Sequence, residues 1–278
     1  MKKYRLTEET TKVGNRTLYR IQALRDFGNV TKGDIGGYIE SEKNLSQDGN
    51  AWVYGNARVY GDACVYGNAC VYGNARVYGD AWVSGNAQVS DNAQVSGDAW
   101  VSGDAWVSDN AWVYGNARVY GNAQVSDNAQ VSDNAWVSGD ARVSGDARVS
   151  GNAWVSGNAW VYGNAWVSGN ARVYGNAWVY GNAWVYGDAR VSGNAQVSGD
   201  ADIKTTGDIC SMSGFGSEYR TTTAFRTKNG DVHVSCGCFF GSLEAFCQRV
   251  ESTHGNTLYG REYKKMIEML KIHFEVEP

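Results

Sequence analysis

Proline is missing from this chain until its last residue, Pro278, so the 35 glycines do not belong to a collagen-like or proline-rich extended protein. Lysine, glutamate, histidine and threonine are all absent between Gly49 and Asp200. The lack of threonine removes the regular ladder that an ice-binding face would need. No apolar run approaches the roughly 18 residues of a membrane helix, so no membrane span is expected. None follows Met1-Lys2-Lys3 as a leader peptide would require. A basic excess is missing too. The formal net charge is −4, and Gly49–Asp200 holds seven Arg against twelve Asp, so no track for nucleic acid is expected. Without a leader, Cys64, Cys70, Cys210, Cys236, Cys238 and Cys247 are expected as reduced thiols in a cytoplasmic protein. Aromatics, by contrast, are plentiful. With 11 Trp and 17 Tyr the chain is not disordered.

What is present is a six-residue rule. From Gly49 to Ala201 the sequence reads [Gly/Asp]-[Asn/Asp]-Ala-x-Val-[Tyr/Ser] without a slip. Val recurs at every sixth position from Val53 to Val197, 25 times, and Ile203 and Ile209 continue the phase. Within a unit, Ala and Val alternate with x and Tyr/Ser, which is the two-residue period of a strand. The following Gly-Asn or Gly-Asp pair tolerates positive φ and turns the chain. A strand this short cannot bury its Ala and Val alone, so the units must coil and stack. The expected fold is therefore mainly β, with an N-terminal β cap over residues 1–48, a repeat region over 49–209 and a small α+β unit over 210–278.

The outward slots use a small alphabet. The x slot takes Trp, Arg, Gln or Cys, and the slot after Val takes Tyr or Ser. If three units close one coil of 18 residues, positions 18 apart are stacked neighbours. Trp160, Tyr162, Trp178 and Tyr180 then share one face, Trp82 lies over Trp100, and Trp136 over Trp154. Such ladders stiffen the coils, and they also form exposed apolar surface of the kind that marks interaction sites. Asp91, Asp109 and Asp127 form an acidic column at the corners where Gly is usual, with Asp133 as a fourth such substitution. Asp62, Asp80 and Asp98 form a second column. The first three are weak candidates for a cation; a solvated acidic edge is the plainer reading, and no metal or cofactor is expected.

The flanks break the period. Tyr4-Arg5-Leu6 and Leu18-Tyr19-Arg20-Ile21 read as strands around a Gly14-Asn15 turn, and Asp34–Ile39 leads into the first coil. A cap is needed there, because an open coil exposes its core and its unpaired strand edge. Near the other end, Thr221–Thr227 and Asp231–Ser235 flank the hairpin signal Lys228-Asn229-Gly230. Ser242 can cap a helix running to about Ser252. Tyr259, Tyr263, Met266, Ile267, Leu270 and Phe274 mark a second amphipathic helix.

Val53, Gly55, Asn56 and Ala57 resemble the hexapeptide repeat of left-handed parallel β-helices, although Tyr or Ser follows the aliphatic residue where that repeat has a small or acidic one. The resemblance implies a left-handed solenoid of about nine 18-residue coils. The segments Arg20–Phe27, Gly33–Glu40 and Val234–Phe239 further resemble the flanks of YdcK-like β-helix proteins of bacteria and phages. Those proteins carry a transferase label by analogy of fold, so the resemblance implies shape first and acyl transfer as an alternative activity. Hexapeptide acyltransferases use a histidine from the coils as general base, and this array has none. Its three histidines, His233, His254 and His273, all follow the array. His233, Cys236, Cys238, Cys247 and His254 could form a zinc site or a Cys/His pair, but Cys-x-Cys spacing is poor for zinc, and packed thiols are the plainer reading. No phosphate loop is present. The first expectation is a non-enzymatic scaffold that engages a protein partner or a second copy through its aromatic faces. Glycan binding and acyl transfer are the alternatives.

Overall fold

The computed structural model describes residues 2–276. The chain is a β-solenoid of about nine turns, preceded by antiparallel strands and followed by a sheet with two helices. It divides into two compact units, 1–152 and 153–278.

Each hexapeptide makes a two-residue strand of x and Val, then a turn. In the first unit Trp82–Val83 pairs in parallel with Trp100–Val101, which pairs with Arg118–Val119, so the register is 18 residues per coil. The second unit keeps this register, as in Trp160 opposite Trp178 and Trp166 opposite Trp184. Every Ala and Val of the array is buried, as are Ile203 and, at 8% exposure, Ile209. Each buried Val contributes about 1.5–3 kcal/mol, and no single strand could do this without its neighbours in the coils before and after it. The corner glycines adopt φ between 58° and 74°. A β-carbon on Gly121 would come within 3.0 Å of the Gly139 backbone nitrogen, so both conformation and stacking favour glycine there.

In the first unit the array is closed by three strands. β1 (Tyr4–Val13) pairs antiparallel with β2 (Arg16–Ala23), and β2 pairs antiparallel with β3 (Ile35–Ile39). β3 then joins the coils in parallel, Tyr38 opposite Arg58. Gly36 and Gly37 permit this: a β-carbon on either would sit 2.6 Å from the carbonyl oxygen of Val53 or Ala57. Trp52 occupies an outward slot by sequence, yet it is buried. The rings of Tyr4 and Phe27 meet it edge-on at 6.1 and 5.3 Å. Lys3 is buried beside them, and its ammonium donates to the Ala51 carbonyl at 2.9 Å.

In the second unit the last coil meets a four-stranded antiparallel sheet in sequence order, Ile209–Phe215, Arg220–Arg226, Val232–Cys236 and Phe239–Ser242. Ile209 keeps the six-residue phase but opens this sheet. Helix α1 (Leu243–His254) is capped by Ser242, whose hydroxyl accepts from the Ala245 N–H at 3.1 Å. Helix α2 (Leu258–His273) is capped by Thr257 in the same way. Phe246, Val250, Tyr263, Met266, Leu270 and Phe274 pack with Val234 into a separate core. Among the described residues no helix is long and apolar enough to cross a membrane.

Candidate functional site

The outer faces follow from strand alternation. With Ala and Val turned inward, x and Tyr/Ser face out. Neighbouring coils then interlock through hydrogen bonds. The indole N–H groups of Trp100, Trp106 and Trp112 donate to Ser84, Ser90 and Ser96 of the preceding coil at 3.2–3.3 Å. The hydroxyls of Tyr72 and Tyr78 likewise donate to Gln88 and Gln94. These five outer side chains are thus held by the neighbouring coils.

The residues expected on these faces fall into three arrangements. Trp160 and Trp178 stack with centroids 5.3 Å apart and planes at 9°, and Tyr162 and Tyr180 stack at 5.0 Å and 1°. Rings stacked at the strand spacing cover one another's faces and turn their edges outward. Trp82 and Trp100 meet at 65°, and Trp82 is 49% exposed. Trp136 and Trp154 lie in different units. Trp136 sits beside Tyr120 and Arg118 in the first, and Trp154 beside Arg172 in the second.

Sequence reasoning missed the arginines between the rings. The Arg118 guanidinium lies 6.0 Å from the Trp100 ring and 5.1 Å from the Trp136 ring. With Ser102 and Tyr120 they line a shallow groove of about 210 Å³. Trp166, Ser168, Trp184 and Tyr186 line another of about 240 Å³, and Trp154, Ser156, Arg172, Tyr174 and Arg190 a third of about 190 Å³. Residues 100, 118 and 136, and residues 166 and 184, stand 18 apart, so the register contained the signal.

The corners carry a second ladder. Asn50 donates to Asn68, Asn68 to Asn86, and Asn86 to Asp104, at 2.8–3.0 Å. Asp ends this run because a carboxylate accepts but cannot donate onward. The Asp91, Asp109 and Asp127 column behaves differently. All three have φ of 58–59°, which aspartate tolerates better than most residues. Each carboxylate accepts from the backbone N–H 18 residues on, at 3.5, 3.3 and 2.9 Å. Asp133 does the same with Gly151 at 3.0 Å. These carboxylates serve the backbone of the coil rather than one another.

The Cys/His residues of the C-terminal segment separate into two places. His233 packs edge-on against Phe240, whereas His254 stacks on Tyr263 at 5.4 Å. The Thr222 hydroxyl donates to Cys236 Sγ at 3.1 Å, and the Tyr263 hydroxyl lies 3.9 Å from that sulfur. Burial, and then Cys236, raise the Tyr263 phenol to about 12. Burial also pushes the Cys210 and Cys247 thiols up. Among the described residues no three His, Cys, Asp or Glu side chains gather closely enough to share a metal ion.

Comparison with known proteins agrees with this geometry. The sequence profile described as the YdcK beta solenoid repeat matches twelve segments, most of them overlapping a neighbour, from 51–67 to 183–199. An Escherichia coli (strain K12) protein named "Uncharacterized acetyltransferase YdcK" is 40% identical over 62 residues, 19% of this chain and 19% of that protein. The match therefore spans less than a fifth of that relative's length.

Proposed function

The chain belongs to the YdcK β-solenoid repeat family, and we propose that it is a non-enzymatic scaffold that binds a protein partner, or a second copy of itself, through its aromatic outer faces. The observation that carries this reading is the anchoring of exposed tryptophans by serines of the preceding coil. Aromatic side chains held in one rotamer lose little entropy on binding, and they are the usual anchors of interfaces. The edge-outward stack of Trp160 and Trp178 also suits a protein surface better than a sugar ring, which would lie on an aromatic face. The left-handed sense of the coil and a cytoplasmic location belong to the same proposal, the latter supported by six unpaired cysteines.

Light scattering tests self-association. The expected mass exceeds one chain and falls to one chain when Trp82, Trp100 and Trp178 are replaced by serine. A photo-crosslinker at position 106, against a control in the C-terminal segment at position 269, tests a foreign partner. A one-chain mass together with no adduct specific to position 106 rejects the reading.

Two observations favour alternatives. The groove between Trp166 and Trp184, whose rings meet at 78°, is a candidate for a glycan. A glycan array on which Trp184→Ala changes nothing removes that reading. The name of the Escherichia coli relative favours acetyl transfer. A coil without histidine lacks the usual base, and calorimetry with acetyl-CoA that shows no heat removes the enzyme.

A further inference from the structure

The C-terminal segment contains a cleft, away from the coil faces, whose floor is the edge of the second core. About 410 Å³ opens between the turn at 216–219, the hairpin at 236–240, one face of α1 and Tyr263 of α2. This is within the size range of small-molecule sites and larger than the grooves on the coils.

Its floor is apolar and its mouth is cationic. Phe239 and Phe246 meet at 5.2 Å, Phe246 meets Tyr263 edge-on at 5.9 Å, and Val250 is buried beside them. Phe246, Arg249, Val250, Thr253 and His254 recur at helical spacing, so α1 presents one continuous wall. The Arg249 side chain makes no hydrogen bond or ion pair among the described residues. Among the described residues the one ion pair of Arg220 is with Glu218, at 3.9 Å, with both side chains at least half exposed. Glu218 is the single carboxylate on the lining, so two guanidinium groups face one acid in a chain whose net charge is −4. The backbone makes room for this. Gly237 has φ of 59°, and a β-carbon there would collide with the Arg220 guanidinium, whereas one on Gly216 would collide with the Tyr263 hydroxyl.

We propose that this cleft binds a small organic anion. Its carboxylate or phosphate group lies between Arg220 and Arg249, and its apolar body lies on Phe239 and Phe246. Guanidinium groups suit both oxyanions because they donate in parallel pairs. The aromatic floor excludes bare inorganic ions as the preferred ligand. Cys238, the exposed thiol at the rim, reports occupancy.

Calorimetry on the full chain with phenylacetate, phenyl phosphate and neutral 2-phenylethanol tests the proposal. One or both anions are expected to bind while the alcohol does not, and the preferred anion identifies the head group. The bound anion should slow alkylation of Cys238 by iodoacetamide about fivefold or more and leave Cys64 unchanged. Arg249→Gln should weaken binding roughly tenfold or more without shifting the melting temperature of the unliganded protein. The proposal is overturned if the alcohol binds as tightly as the anions, if neither anion binds at millimolar concentration, if Cys238 is not protected, or if Arg249→Gln leaves affinity unchanged. None of these outcomes bears on the aromatic faces of the coils.

Discussion

At its N-terminal end the array is closed by continuation, and at its C-terminal end by attachment. β3 extends the stack in register, Tyr38 opposite Arg58, and Trp52, Tyr4 and Phe27 plug the first coil. The C-terminal sheet instead meets the last coil at isolated points. Ala201 bridges Thr227, the Gln196 N–H donates to Thr223 at 3.1 Å, and the Lys228 N–H donates to Asp200 at 3.0 Å. Continuation borrows the core of the coil. Attachment needs a second core, and beside that core an open cleft with arginine, histidine and thiol groups remains. The difference teaches where chemistry can reside in a repeat protein: outside the period, where side chains are not bound to a fixed alphabet.

The largest test of this contrast compares Trp52→Ala with Phe246→Ala. Each removes a buried ring and should cost about 3–5 kcal/mol. In urea, Trp52→Ala should lower the midpoint of the β signal. Phe246→Ala should lower that of the helical signal and leave the β signal nearly in place. If both signals move together in Phe246→Ala, the second core is not independent of the coil.

Alkaline pH gives Lys3 and Tyr263 opposite signs. Burial, and then Arg25, lower the Lys3 ammonium to about 8. Between about 8 and its ordinary 10.5 the unfolded chain holds more protons than the folded one, so stability attributable to Lys3 rises with pH. Tyr263 is raised from 10.0 to about 12, so its contribution is complete below pH 10 and is lost as pH climbs towards 12. Each slope reaches at most about 1.4 kcal/mol per pH unit. The midpoint difference between the native chain and Lys3→Met should therefore rise with pH between about 8 and 10.5, and that between the native chain and Tyr263→Phe should fall above pH 10. Slopes unchanged by either substitution would show that burial does not set these titrations.

How much of this was legible follows the same divide. The coil was readable because one period fixes inside and outside at once, and the 18-residue register followed from three units per turn. β1 extends through Thr7–Lys12, which lacks an apolar alternation because that stretch is mostly exposed. Trp52 looks like every other outward tryptophan; its burial depends on Phe27, which belongs to no strand. The helices and the Asn-Gly hairpin were legible from caps and turn residues, but Phe239–Ser242 was too short to announce itself as a strand. The aromatic columns were legible by spacing, whereas ring orientation was not, since it depends on hydrogen bonds such as Trp100 to Ser84. The cleft was illegible because Arg220, Arg249 and Tyr263 converge from three elements.

A smaller effect tests how firmly the C-terminal sheet is attached. Thr223→Val keeps the shape of a buried side chain but leaves the Gln196 N–H without its acceptor. The expected cost is about 1–2 kcal/mol. Hydrogen exchange at Gln196 should accelerate while Val161, in an interior coil strand, stays protected. Equal acceleration at both positions would mean that the last coil and the interior coils open as one.

The smallest effect belongs to the outer face of the coils. Arg118→Ala removes a guanidinium lying against Trp100 and Trp136, and at a partly exposed site this should cost about 0.5–1 kcal/mol. The strand beneath is unaffected, because Val119 supplies the buried contact and the Arg118 N–H bonds to Ala135 through the backbone. Loss of the arginine should instead alter the two indoles, seen as a red shift in tryptophan fluorescence with an almost unchanged melting temperature. A loss above about 2 kcal/mol would place Arg118 among the groups that hold the coils together. The outer alphabet would then be constrained by stability as well as by what the faces bind.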